Sequence, residues 1–425
     1  MSIRIHTIIL ILLASCYCKG NVLPTHRYDD FVYDSNIKSV KFSHPEFDFS
    51  MPILELNSDN ILILSFDDLR GDYRNYKYTI ELCDAWWIPV DLIQSEYISG
   101  FFEYDIVDYR FSGNTRIPYV HYSLVFPDEN LKPKKSGNYI MKVWSDDSGE
   151  NVIAFTKRFY VLDSQLAITG TTTAGTQIDT KWYQQEVDFQ IDRLQMNIVN
   201  PYENLKVIVL QNGNWRNGLF QLKPKIVRGN ILDYDLEMVN AFDGGNEFRN
   251  FDIKSMKYKT AEIDGIQLID GQYHLFLTPD VKRNFLQYSY RGDINGRYYI
   301  KSDEYVDSDV DAEYVYVYIT LLSNATRTDG DIYLYGELTN RQLTDEYKMK
   351  YNYDRKAYEL TLLLKQGFYD YEYVFLPQGQ VIPNAAEIEG RHFETENEYS
   401  IWVYYRPPGE LYDQLVGVQF LSTRN

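Results

Sequence analysis

The side chains that could carry acid–base or metal chemistry are few in this 425-residue sequence. His121 is the most interesting histidine because it lies in the alternating segment YVHYSLVF. A strand of this kind favours a half-buried histidine with one hydrogen-bond partner over a catalytic base. No two histidines have metal-ligand spacing, and the full set is His6, His26, His44, His121, His274 and His392.

Cys83 and the pair Asp67–Asp68 are the other candidates for chemistry. Cys83 lies in the predicted strand YTIELCDAWW, which favours a buried small hydrophobic side chain over a nucleophile. Asp67 and Asp68 precede the segment LRGD, and this order indicates turn chemistry at the end of a strand. A hydrolytic acid pair is the alternative interpretation of such carboxylates.

Common catalytic and nucleotide-binding motifs are missing from the sequence. It has no Gly-x-Ser-x-Gly elbow, no His-Glu-x-x-His and no Walker Gly-x-x-x-x-Gly-Lys. We therefore expect a protein that is not an enzyme, with no catalytic, metal-binding or cofactor-binding residues.

An acidic stretch, Ser302 to Glu313 (SDEYVDSDVDAE), has enough carboxylates for a calcium site to be considered. The EF-hand loop requires Asp-x-Asp-x-Asp-Gly followed by a glutamate, and this stretch lacks the glycine. We expect residues 302–313 to form a solvated linker between two domains.

The elements that must position these residues are β-strands throughout. Leu205–Leu210 (LKVIVL) lacks alternation, which predicts a strand buried on both faces. Gly170–Gln177 is predicted as a loop, and Pro224–Arg228 and Gln342–Lys348 are the two short segments that suggest helix. Period-two alternation predicts strands at Ile61–Phe66, Tyr76–Leu82, Tyr119–Phe126 and Tyr139–Trp144.

Strands at this spacing predict an all-β fold of tandem immunoglobulin-like or early-set β-sandwiches. We expect three such domains after an export signal. The predicted ranges are an export signal at 1–18, an N-terminal sandwich at 21–163, a middle sandwich at 164–301, the acidic linker at 302–313, a C-terminal early-set-like sandwich at 314–406 and a tail at 407–425.

The first residues have the pattern of an export signal. Arg4 precedes the apolar run IILILL, which is followed by two small residues. The word LASC also fits a bacterial lipobox, which would make Cys16 a lipid attachment site able to anchor the chain stably. Ordinary cleavage between Cys16 and Gly20 is the alternative.

The charge balance limits the partners that the chain could bind. The sequence has 61 acidic and 42 basic residues, for a formal net charge of −19. Nucleic-acid binding depends on Lys and Arg neutralising phosphates, and docking by charge to anionic lipid depends on the same residues. We therefore expect neither a nucleic-acid partner nor direct docking to a membrane surface.

Nine words in fixed order resemble one protein family, the plug proteins of the type IX secretion system. The resemblance extends from about Ile37 to Gly417. The words are SFDDL, YKYTIELCDAWW, SGNYIMKVW, QNGNW, GGNEFR, DINGRY, YGELTN, KQGFYDYEYV and IEGRHFETENEYSIWVYYRPPG.

The resemblance implies a function without an active site. Plug proteins of this family occupy the periplasmic mouth of a giant outer-membrane β-barrel translocon, SprA/Sov-like, and seal its pore when no substrate shuttle is engaged. It implies a location in the periplasm at the outer membrane, with membrane contact only through the barrel or through a lipid at Cys16. It does not identify the interface, and we hypothesise that aromatic residues between Tyr97 and Tyr109 contribute to docking.

The region after Tyr314 also resembles glycogen- and starch-binding immunoglobulin-like modules. In those modules an Asn-Trp pair supplies a sugar platform, whereas here Asn340 is followed by Arg341. This resemblance therefore implies the fold alone. Two alternatives to the plug function stay open from the sequence, a periplasmic or surface glycan-binding protein and a β-sandwich hydrolase with an unrecognised acid pair.

Overall fold

The computed structural model describes residues 26–145, 152–194 and 196–424. The predicted export signal at 1–18 and Cys16 lie outside the described residues. No helix within these ranges has the length and apolar character needed to cross a membrane. The chain is built from strands in several mainly antiparallel sheets, which confirms the all-β prediction.

The strands fall into three sandwiches with separate apolar cores. The N-terminal sandwich contains β1 (Phe31–Val32), β2 (Ile37–Ser43), β3 (Ile53–Glu55), β4 (Leu62–Asp68), β5 (Tyr76–Cys83), β6 (Ile98–Gly100), β7 (Tyr104–Ile106), β8 (Asp108–Phe111), β9 (Val120–Phe126), β10 (Leu131–Pro133), β11 (Gly137–Ser145) and β12 (Val152–Leu162). The next strands along the chain are β13 (Ala167–Ala174), β14 (Gln184–Asp192), β15 (Leu205–Gln211), β16 (Leu219–Leu222), β17 (Ile226–Arg228), β18 (Ile231–Asp233) and β19 (Ala241–Asp243).

The remaining strands are β20 (Arg249–Asp252), β21 (Ile263–Ile269), β22 (Gln272–Leu277), β23 (Tyr298–Ile300), β24 (Tyr314–Leu322), β25 (Gly330–Tyr335), β26 (Lys350–Asn352), β27 (Ala357–Lys365), β28 (Gly367–Pro377), β29 (Glu398–Tyr405) and β30 (Gln414–Ser422). The helices are single turns, namely α1 (Gln94–Tyr97), α2 (Pro201–Asn204), α3 (Ser308–Asp311) and α4 (Ala386–Glu389), with 3₁₀ turns at Trp215–Asn217, Glu237–Asn240 and Glu337–Thr339.

The N-terminal sandwich encloses an aromatic core. One sheet has the order β1-β12-β11-β5-β7, with β3 beside β12, and the other has the order β2-β4-β9-β8. Phe66 of β4 contacts both Tyr76 and Phe155 of the opposite sheet, with ring centroids 5.0 and 4.9 Å away. Alternation along β4 and β5 places these side chains inward, as the period-two pattern predicted.

The other two sandwiches do not follow the predicted limits at residues 301, 314 and 406. β15 pairs with β29, and β30 extends the same sheet, so the middle sandwich is completed by the end of the chain. The third sandwich is inserted between these parts and combines β20–β23 with β24–β28. The apolar strand β15 needs a neighbour on each edge, and local sequence does not reveal that one neighbour lies about 190 residues away.

Four local predictions were wrong, all for segments where short-range signals are weak. Gly170–Gln177 contains the end of β13, because its threonines fit a strand. Pro224–Arg228 contains β17, in which Ile226 and Val227 are β-branched. Gln342–Lys348 is a turn without helix, and the predicted tail contains β30.

The N-terminal and middle sandwiches share an apolar core of their own. Trp402 of β29 lies against Tyr160 of β12, with ring centroids 4.3 Å apart. Trp215 donates its indole N–H to the Tyr160 hydroxyl over 2.8 Å. Cys83 and Ile208 are fully buried in the same cluster. The two sandwiches are therefore joined by packing rather than by a flexible linker.

Candidate functional site

The strongest sequence candidates, His121 and Asp67, meet at the junction of the N-terminal and third sandwiches. Asp67 has no exposed surface, and one carboxylate oxygen lies 2.7 Å from Nδ1 of His121. The other oxygen accepts hydrogen bonds from Lys365 Nζ at 2.6 Å and from the Tyr314 hydroxyl at 2.7 Å. Burial alone would raise the pKa of Asp67, but the charge of Lys365 and the His121 ring hold that pKa below its ordinary value.

This group is arranged as an ion-paired joint between sandwiches. Nε2 of His121, the atom that a general base would use, lies 3.9 Å from Asp309 and has no hydroxyl group within hydrogen-bond distance among the described residues. The sequence correctly predicted a strand histidine with one hydrogen-bond partner, although His121 is buried rather than half-buried. The sequence did not predict that Lys365 and Tyr314 bind Asp67. The one feature that could have indicated this is that both residues carry a polar group within an otherwise apolar strand.

Asp68 and Cys83 have structural surroundings. Asp68 accepts the backbone N–H of Arg70 over 3.0 Å, which confirms turn chemistry for this residue, and it also accepts the Tyr76 hydroxyl over 2.8 Å. The same turn prediction was wrong for Asp67. Cys83 is buried, as predicted, and burial raises the pKa of its thiol well above the ordinary range.

The acidic segment 302–313 is not a solvated linker, because it packs on the N-terminal sandwich. The carboxylate of Glu313 accepts backbone N–H groups of Arg116 at 2.7 Å and Ile117 at 3.3 Å. Arg110 of β8 pairs with Asp309 at 2.9 Å and also with Asp307. No group of three His, Cys, Asp or Glu side chains in the described ranges is arranged to hold a metal ion. Glu313 instead binds backbone N–H groups, and Asp307 and Asp309 bind Arg110.

Arg341, which stands where a sugar-binding module would carry tryptophan, is part of another junction. Its guanidinium donates to the carbonyl of Asn212 over 2.7 Å, and its own carbonyl accepts from Arg216 at 3.1 Å. Asn340 and Arg341 both have left-handed backbone, with φ of 48° and 52°. The turn thus fixes the third sandwich against the QNGNW loop of the middle one.

Three of the distinctive sequence words bring carboxylates together inside the third sandwich. Together with burial, the negative charge of Asp293 helps to raise the pKa of two other carboxyl groups, Glu247 and Asp370. Glu247 belongs to the word GGNEFR, Asp293 to DINGRY and Asp370 to KQGFYDYEYV. One oxygen of Asp370 accepts the backbone N–H of Ile294 at 2.7 Å and of Gly296 at 3.1 Å. Burial and the nearby Asp293 raise the pKa of Asp370 to about 8. The sequence gave these three words no role beyond the family resemblance, so it did not predict this cluster.

Exposed aromatic side chains gather where both sheets of the N-terminal sandwich end. β7 and β8 are the edge strands of the two sheets, and the chain passes directly from one to the other. We call this surface the aromatic edge, and its members are Tyr73, Phe101, Phe102, Val107, Tyr109 and Phe111. Tyr109 contacts Tyr73 and Phe111 with ring centroids 4.6 and 5.9 Å away.

The aromatic edge is strongly exposed for such large apolar groups. Phe101 is 60% exposed, Val107 73% and Phe111 55%. All four residues of β8 are exposed. By contrast, Tyr97 and Ile106 of the same region are buried in the core. Tyr73, Tyr109 and Phe111 form one group of exposed rings in contact, and exposed apolar groups of this kind are typical of a binding site.

The chain is similar to a family of secretion-system proteins and to a protein of known structure. Residues 37–163 match the model of the family described as type 9 secretion system plug protein 1st domain. A hypothetical protein from Parabacteroides merdae, known from a crystal structure, is 33% identical, with a TM-score of 0.90 over 94% of this chain and 100% of that one. The C-terminal domain of the Streptococcus pyogenes antigen I/II-family protein AspA is 9% identical over 91% and 99% of the two chains, and its TM-score of 0.18 supports no inference. No match was found among proteins with curated functions.

Proposed function

The chain belongs to the type 9 secretion system plug protein family and has a role in type IX secretion in the cell envelope, and we propose that it is a non-enzymatic plug for the secretion translocon. In this proposal it binds the periplasmic opening of the giant SprA/Sov-like outer-membrane barrel. It seals the pore when no substrate shuttle is engaged, and it leaves when the translocon changes state.

The match of residues 37–163 to the family model carries this proposal. The matched range begins at β2 and ends just after β12, so it includes nearly all of the N-terminal sandwich and the whole aromatic edge. The family is defined by a plug, which is a steric rather than a catalytic function. A partner of the secretion apparatus is therefore the natural ligand of this domain.

The joints between the sandwiches support a steric function. A plug must keep its shape against a partner many times its size, and loosely linked domains would yield at their interfaces. Here each junction has buried or partly buried polar contacts, such as Asp67 with Lys365 and Arg341 with the Asn212 carbonyl. A shared apolar core around Trp402 adds to them. These contacts favour one rigid body.

The two alternative functions gain no supporting observation. Glycan binding was suggested by the third sandwich, but Arg341 contacts the middle sandwich at the position of the expected sugar platform. Hydrolysis by an acid pair was suggested by Asp67 and Asp68, but both carboxylates are occupied by cations, hydroxyl groups or backbone N–H groups.

The proposal is tested by purifying the tagged chain from outer membranes and by measuring leakage in cells that lack it. We expect the giant barrel protein to co-purify in the absence of the shuttle. Deletion should admit large antibiotics that an intact outer membrane excludes, and expression of the chain should restore exclusion. Absence of the barrel from the purified material, together with unchanged permeability, would refute the proposal.

A further inference from the structure

The aromatic edge combines three features that single it out from other surface positions. It contains several large apolar side chains in ring contact, rather than one isolated residue. It lies where the edge strands of the two sheets meet, with Tyr109 and Phe111 on β8, and β8 pairs with no strand on its outer side among the described residues. It is also held in place from behind, because Arg110 of β8 pairs with Asp309 of the acidic segment.

The rim of the aromatic edge is acidic. Glu103 and Asp108 are exposed. Asp72, which directly precedes Tyr73, is exposed as well. Glu103 lies 4.0 Å from Lys77, and no ion pair is formed by Asp108 or Asp72 within the described ranges. The single arginine of β8 is already neutralised by two aspartates. The surface therefore presents rings inside a net negative border.

We propose that the aromatic edge is the docking surface for the translocon, and that it fits a partner site in which Arg and Lys side chains border an apolar depression. The inference rests on the proposed function. Aromatic side chains supply large contact area at low cost in side-chain entropy, and arginine additionally stacks on aromatic rings. The acidic rim steers and orients a cationic partner.

A double variant tests the aromatic part of the inference. Phe101→Ser with Phe111→Ser removes two exposed rings that do not belong to the core. We expect recovery of the barrel with the tagged chain to fall about thirtyfold, as for loss of interface hot spots. The matched control is Tyr353→Ser, because Tyr353 is 74% exposed on the third sandwich and should leave recovery unchanged.

A charge reversal tests the partner's chemistry. Glu103→Lys with Asp108→Lys should weaken recovery of the barrel, most strongly at low salt, whereas Asp59→Lys on the exposed turn before β4 should not. Thermal unfolding of each variant, unchanged from the parent, establishes that folding is intact.

The outcomes separate the inference from the function on which it rests. If the parent chain recovers no barrel, the proposed function fails. If the parent recovers the barrel and the ring and charge variants do so equally well, the inference is overturned while the function stands. If the variants change only the association of this chain with itself and not the recovery of the barrel, the inference is overturned, and the aromatic edge would instead bind a second copy of this chain.

Discussion

Single charged residues inside this protein connect elements that lie far apart in the sequence. Lys365 of β27 neutralises Asp67 of β4, and Glu313 binds backbone of the loop before β9. A buried ion pair adds little net stability, because desolvation offsets the attraction, but losing one partner leaves an uncompensated charge. Such residues therefore specify how the sandwiches meet.

Lys365→Met should be strongly destabilising because it removes the cation that neutralises the buried Asp67 carboxylate. We expect a loss of about 3–5 kcal/mol, measured by urea unfolding. Lys348→Met is the matched control, because Lys348 forms an exposed pair with Asp331 at 2.7 Å and should cost less than about 1 kcal/mol. Equal effects of the two substitutions would contradict the assigned joint.

The lowered pKa of Asp67 predicts the direction of an acid effect. A carboxyl whose folded pKa is below its unfolded pKa contributes stability above the unfolded pKa, and this contribution is lost as pH falls through the folded pKa. The Lys365→Met variant lacks the cation that lowers the pKa of Asp67. Its free energy of unfolding should therefore fall less steeply toward low pH than that of the parent.

Asp370→Asn should stabilise the protein at alkaline pH. The folded pKa of Asp370 is raised to about 8, so the unfolded chain ionises first and parent stability declines as pH rises toward that value. Asparagine keeps an oxygen for the N–H groups of Ile294 and Gly296 without the charge. The difference in free energy of unfolding, variant minus parent, should be at least about 1 kcal/mol more favourable to the variant at pH near 8 than at pH near 4. A pH-independent difference would contradict the raised pKa.

Among the secondary-structure elements, strands with clean alternation could be predicted and their partners could not. The expected strand Tyr76–Leu82 corresponds to β5, and Tyr139–Trp144 lies within β11. Period two reveals which face of a strand is buried, but it carries no information about the strand beyond the edge. The pairing of β15 with β29 was hidden for this reason.

The candidate site divides in the same way. The segment Tyr97–Tyr109 was expected to contribute to docking, and the docking function itself stays a proposal. Sequence alone could not tell the buried Tyr97 from the exposed Tyr109, because Tyr97 ends the single-turn helix α1 and Tyr109 lies in the short strand β8, and neither element is long enough to show a clear period. The cluster around Asp370 could not be predicted because its three carboxylates lie in words that are far apart in the sequence.

β30 is the element whose importance differs most from expectation, and truncation tests it. β30 pairs with β29 along its length, and Leu415 and Val416 are fully buried. Ending the chain after Arg406 should expose β29 and the shared core, giving insoluble protein. Ending it after Thr423 keeps β30 and is the control. Soluble, folded protein from the shorter chain would show that β30 is dispensable.

The whole molecule should behave as one cooperative body. The chain leaves the middle sandwich, forms the third one and returns, so the middle sandwich is completed only by strands that follow the third one in the sequence. The N-terminal sandwich is tied to both by the Trp402 core and by Asp67 with Lys365. Elements joined by packing of this extent are expected to open together.

Trp402→Ala tests this cooperativity. The side chain is fully buried, so its removal should cost about 3–5 kcal/mol. In hydrogen exchange we expect faster exchange in β12 of the N-terminal sandwich as well as in β15 and β29. Trp182→Ala, at a position that is 65% exposed, is the control. Acceleration confined to the middle sandwich would indicate independent units.

The position of Cys83 turns this shared core into an internal reporter. Its thiol is fully buried beside Ile208 and Trp402, at the boundary between the first two sandwiches. Because the thiol has no exposed surface, a thiol reagent should label Cys83 only after this part of the structure opens, and the rate of labelling reports how often it opens. Applied to the chain in membranes during active secretion, the reaction would reveal whether the molecule leaves its partner intact or comes apart as it does so.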